Sequence, residues 1–107
     1  MEKQQRQERH NELLSQAIEA VQREDIDDAI ETIEQIPNDL RFPIGNGSEK
    51  TAKEIISMVL NGKGVEFCKQ GEFKEAVSRF RAALRLDPYN KTIKSNLEQA
   101  EQAKELG

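Results

Sequence analysis

One cysteine, one histidine, three prolines and no tryptophan stand in 107 residues, and 5% of the chain is aromatic. Each scarcity removes a class of protein. A lone Cys68 forms no internal disulfide and builds no cysteine-rich zinc site. It fits a reducing compartment, with the cytoplasm as the default expectation. His10, the one histidine, lies in a polar stretch, so neither a Ser-His-acid triad nor a histidine metal centre can be assembled. No run approaches the roughly 18 apolar residues that span a bilayer. The opening Glu2-Lys3-Gln4-Gln5-Arg6 lacks the apolar core of a secretory signal. Basic residues are not clustered with aromatics, as phosphate recognition requires. The expectation is therefore a chain that binds neither membrane nor nucleic acid.

Motifs for chemistry are equally sparse. Asp25, Asp27 and Asp28 cluster, but they suit the positive end of a helix, and the spacing of a calcium loop with its closing Glu is missing. Gly45-Asn46-Gly47-Ser48 and Gly62-Lys63-Gly64 do not match the phosphate-loop pattern and follow no strand. The first reads as a turn leading to a helix cap, the second as close helix packing. No catalytic group, cofactor or metal is expected, and the chain is not expected to be an enzyme.

What is present is charge and helical periodicity. Charged residues make up 34% of the chain and the net charge is −4. Usage rich in Ala, Glu, Lys, Leu and Gln points to an all-α fold. Charge is uneven: Met1 to Gly47 carries five Lys/Arg against eleven Asp/Glu, whereas Ser48 to Gly107 carries eleven against nine. Residues 1–12 are a polar lead-in, a frayed helix extension, a linker helix or a disordered arm. Leu13, Leu14, Ala17, Ile18 and Val21 recur at helical spacing. Asp25 can cap a second helix whose apolar stripe is Ile26, Ala29, Ile30, Ile33 and Ile36, closed by Pro37. Residues 38–47, rich in Pro, Gly and Asn, read as an insertion loop with a short extended piece near Leu40 to Ile44. In an extended chain Leu40, Phe42 and Ile44 share one side, and they pin the loop to the protein's own helices or meet a partner. Ser48 is expected to cap a long helix running to Lys69. Its early apolar positions Ile55, Ile56 and Val59 call for a neighbour, so the two halves are expected to fold as one cooperative unit.

The stretch from Leu60 to Pro88 is the most specific. Leu60-x-x-Lys63-Gly64-x-x-Phe67 is followed by Gly71-Glu72-Phe73, Ala76-x-x-x-Phe80, Ala83 and Asp87-Pro88. Gly64 and Ala76 are small positions where two antiparallel helices approach, and Phe67, Phe73 and Phe80 fill the space between them. Gly71 suits the left-handed residue beyond a helix end. This order and spacing resembles the tetratricopeptide repeat, a helix-turn-helix unit of about 34 residues. Lys63 and Leu60 depart from the Leu and Trp the pattern usually holds. Residues 13–37 look like a degenerate copy of the same hairpin, 48–90 form the extended first helix and clear repeat, and 91–107 a capping helix with Ile93, Leu97, Ala100 and Ala103 inward.

The resemblance implies a single all-α domain of about five antiparallel helices in an α-α superhelix, acting as a scaffold or adaptor that binds a protein or peptide. It also implies a groove lined by the first helix of each hairpin. The corresponding positions are Asn11, Leu14, Ile18 and Val21 in the weak copy, and Met58, Asn61, Val65, Cys68 and Lys69 in the clear one. Members that hold a C-terminal carboxylate use Lys, Asn and Arg there; Met58, Asn61 and Val65 largely replace them. The alternative use of such a surface is self-association as a homodimer. A hairpin with a charged lead-in and a closing cap is also similar to interaction modules attached to bacterial signalling proteins such as response regulators.

Overall fold

Helix α1 spans Glu2–Gln22, α2 Ile26–Glu34, α3 Ala52–Lys69, α4 Phe73–Leu86 and α5 Lys91–Leu106. Between α2 and α3 lies a hairpin of β1 (Arg41–Gly45) and β2 (Ser48–Thr51). The structure is a computed structural model that describes residues 2–106, with side chains from residue 8 onward. Met1, Gly107 and the side chains of the lead-in before Glu8 lie outside the described residues. The all-α expectation holds, with the small hairpin as an addition. By its contacts the chain divides into two units, Met1–Ile56 and Ser57–Gly107.

In the first unit α1 packs on α2. Ala17, Ala20 and Val21 of α1 and Ala29, Ile30 and Ile33 of α2 are buried, the small residues letting the helix axes approach. The turn is closed from both sides. The Glu24 N–H donates to the Val21 carbonyl at 3.1 Å and the Asp25 N–H to the Ala20 carbonyl at 2.9 Å, the paired bonds of a Schellman ending. Glu24 takes the left-handed conformation, φ 69°. As expected, Asp25 caps α2, its Oδ1 accepting the Asp28 N–H at 3.1 Å.

The extended piece expected near Leu40 to Ile44 is strand β1, and the turn at Gly45-Asn46-Gly47-Ser48 leads into a second strand rather than a helix cap, Asn46-Gly47 making a two-residue hairpin turn. Asn46 and Gly47 both have positive φ, 54° and 73°, and Gly45 pairs with Ser48 across the turn, as the right-handed strand twist favours. Phe42 is buried while Ile44 is 42% exposed. The register shift between Pro43 and Gly45 places Ile44 at an irregularity, and a bulge of this kind breaks the alternation that would have set Phe42 and Ile44 on one side.

Ser48 does not cap α3, since it is committed to β2. Thr51 and Glu54 start the helix instead. The Glu54 N–H donates to Thr51 Oγ1 at 3.3 Å, while Glu54 Oε1 accepts the Thr51 N–H at 3.0 Å and its hydroxyl at 3.1 Å. That reciprocal pair is a capping box.

In the second unit α3, α4 and α5 surround Phe80, which is 1% exposed. A Cβ added at Gly64 would meet the Phe80 ring at 2.5, 2.7 and 2.8 Å, so glycine is what lets the ring lie on α3. The Ser57 hydroxyl, also buried, donates to the Ala83 carbonyl at 3.1 Å. Arg79 lies over the Phe67 ring at 5.1 Å, a cation–π contact. The turn after α3 repeats the Schellman pattern, with Gly71 N–H to Cys68 O at 3.0 Å and Glu72 N–H to Phe67 O at 2.9 Å. Gly71 has φ +78°, the left-handed residue expected there. Asn90 starts α5 by accepting the Ile93 N–H at 3.1 Å. Arg81 ties α4 to Glu101 of α5 at 3.2 Å.

Candidate functional site

The site is a groove in the second unit, bordered by α3 and α5. Its two walls are joined where Asn96 Nδ2 donates to Asn61 Oδ1 at 2.9 Å. That bond leaves the Asn61 amide with donor capacity and the Asn96 carbonyl with acceptor capacity. From this link a cavity of about 390 Å³ extends along the walls, at the small end of the range for ligand sites. Val65, Cys68 and Lys69 line it from α3. Asn96, Gln99, Ala100 and Ala103 face it from α5, and Phe73 and Phe80 of α4 form its floor. The small side chains of Ala100 and Ala103 keep the groove open, while the rings supply an apolar base.

Helix geometry accounts for the α3 wall. At about 100° per residue, Leu60, Gly64 and Phe67 point to α4, whereas Asn61, Val65 and Cys68 point to α5. Met58, Gly62 and Lys69 follow on the outer face. Met58 is 50% exposed, and Val65 and Cys68 are half-buried. Burial pushes the Cys68 thiol above its ordinary pKa, which disfavours the reactive thiolate.

Of the positions the sequence suggested, Val65, Cys68 and Lys69 line this cavity. Asn61 closes its end through Asn96, and Met58 lies on the neighbouring outer face. In the first unit Asn11 is exposed, Leu14 and Ile18 are half-buried, and Val21 is fully buried. Val21 thus belongs to the α1–α2 core and presents no surface. The reading of Gly62 also changes. A Cβ there would meet nothing within 4 Å, so of Gly62 and Gly64 only Gly64 serves helix packing.

Sequence reasoning missed Phe73, Phe80, Asn96 and Gln99 as lining residues. The signal was available in α5: Asn96, Ala100 and Ala103 recur on one helical face, a polar residue followed by two small ones. In the sequence Ala100 and Ala103 count only among the inward positions of a capping helix, which does not show that with Asn96 they form a wall. Among the described residues no group of His, Cys, Asp or Glu is placed to hold a metal ion, and no helix is long and apolar enough to cross a membrane. No protein-family model matches the chain, and no curated protein matches it significantly.

Proposed function

We propose that the chain is a non-catalytic protein-binding module, a tetratricopeptide-like hairpin with a closing helix that holds an apolar peptide or helix in the α3–α5 groove. The observation that carries the reading is the cavity floored by Phe73 and Phe80 and walled by Val65, Ala100 and Ala103. Val65, Phe73 and Ala103 are half-buried and leave apolar surface facing water, over Phe80 and Ala100, which are buried beneath them. The groove offers no nucleophile with an adjacent base, while the amides of Asn96 and Gln99 supply polar anchors around apolar walls. Protein grooves that receive amphipathic helices or extended segments have this make-up. The second use of the surface, pairing with another copy, is distinguished by sedimentation.

The test is a Val65→Glu variant, which places a carboxylate on the groove wall. Circular dichroism should be unchanged, because Val65 is only half-buried. Capture of apolar peptides should fall at least tenfold. Equal binding by both proteins would remove the groove assignment, and a concentration-dependent dimer dispersed by Val65→Glu would replace the peptide by a second copy.

A further inference from the structure

Gly62 lies ten residues into α3 with open space beside it: an added Cβ finds no atom within 4 Å. A mid-helix glycine is among the least favourable helix residues. Its usual justifications are absent here, for its φ is not positive and no neighbouring helix crowds it. Gly64, two residues on, has such a justification in Phe80. On the helical wheel Gly62 lies on the outer face about 20° beyond Lys69 and about 40° beyond Met58, one turn before Val65 of the groove wall. A missing side chain there lets another backbone come close to α3, as small residues do wherever helices cross tightly.

The same face carries the charge that selects the occupant. Among the cavity's lining residues Lys69 alone is charged, and it makes no ion pair among the described residues. The nearest acid one turn before it, Glu66, is engaged by Lys63 at 3.8 Å. Glu72, three residues beyond, gives α4 no side-chain cap and is exposed to water. Lys69 suits the negative end of the α3 dipole, and its ammonium group is exposed at the end of an otherwise uncharged groove. It stands about 10 Å along the helix from Gly62.

Resting on the groove reading above, we infer that the occupant is an amphipathic helix of a partner protein. It crosses α3 in close contact at Gly62, its apolar face lies on Val65 and Met58, and a carboxylate on it meets Lys69. Gly62 sets how near the helix comes, and Lys69 sets which end of it carries acid.

The experiment uses the full chain, fluorescently labelled, and two bead-bound pools of 18-residue helical peptides. Both pools carry apolar residues at i, i+3, i+4 and i+7, randomised over Leu, Ile, Val, Met, Phe and Ala. One pool is flanked by Glu and the other by Lys. The wild type should be captured at least tenfold better by the Glu-flanked pool at low salt, and Lys69→Glu should reverse the preference. Gly62→Ala should raise Tm by about 4 °C or more and yet lower capture at least tenfold, a combination that a merely structural glycine does not produce. Capture by neither pool overturns the groove reading and this inference with it. Equal capture by both pools, or undiminished capture by Gly62→Ala, overturns this inference alone. A lower Tm in Gly62→Ala does so too, by showing that the glycine serves the fold.

Discussion

Replacing Gly64 and Gly62 separately by Ala isolates the energy of the α3–α4 contact. Both residues lie inside α3, so each gains about 0.8–1.0 kcal/mol of helix propensity on becoming Ala. At Gly62 nothing opposes the gain, since the new methyl meets no atom within 4 Å. At Gly64 the methyl would fall 2.5–2.8 Å from three carbons of the Phe80 ring, closer than real Cβ contacts allow. The ring is 1% exposed, so the helices must separate or the ring must leave its rotamer toward the groove it lines. Overpacking of this kind costs about 1–3 kcal/mol. Because the propensity gain is common to both, the difference between the two variants is the packing penalty itself. Urea unfolding followed by circular dichroism should place Gly64→Ala about 1–3 kcal/mol below Gly62→Ala, with Gly62→Ala above the wild type. If the two variants were equally stable, the close approach of α3 to Phe80 would not exist in solution.

The two helical turns predict a further change by comparison with each other. Glu72 precedes α4 with φ −91° and ψ 70° but gives no side-chain cap, whereas Asp25 at φ −102° and ψ 78° caps α2. Glu72→Asp should therefore stabilise the protein by about 0.5–2 kcal/mol in thermal unfolding. Glu54 has its pKa lowered first by the Thr51 backbone N–H and then by the Thr51 hydroxyl. A depressed folded-state value means the stabilisation is complete above the unfolded carboxylate pKa and is lost as pH falls through the folded one. Amide exchange in the first turn of α3 should accelerate as pH drops below about 4, after correction for intrinsic exchange, and Glu54→Gln should abolish that dependence.

Where side chains act locally, the sequence was legible. Gly71 marked the end of α3, Asp25 the start of α2, and the small-against-large pattern of Gly64 and Ala76 with Phe67, Phe73 and Phe80 marked a helical hairpin. Two local signals carried more than was read from them. Asn46-Gly47 between Ile44 and Ser48 is a strong hairpin turn, and Thr51-x-x-Glu54 is a capping box. The first was read as a turn leading to a helix cap rather than to a second strand, and Ser48 masked the second as a plausible earlier cap. The groove was half legible. Its α3 positions were implied by the tetratricopeptide resemblance, but its floor and α5 wall depend on how three helices pack, which no periodicity within one helix reveals. Val21 shows the reverse error, for a position assigned to a surface by analogy with the clear repeat proved to be core. Gly62-Lys63-Gly64 was read as close helix packing, and the position of Phe80 shows that of its two glycines only Gly64 serves it.

The central claim is that the α3–α5 groove receives a partner segment. Its most direct test is methyl NMR of the full chain titrated with the Glu-flanked helical peptide pool. The signals of Val65, Ala100 and Ala103 should shift saturably, while those of Ile30 and Ile33 in the core of the first unit stay in place. Saturable shifts confined to the first unit, or no shift at any of these methyls at millimolar peptide, would contradict the account.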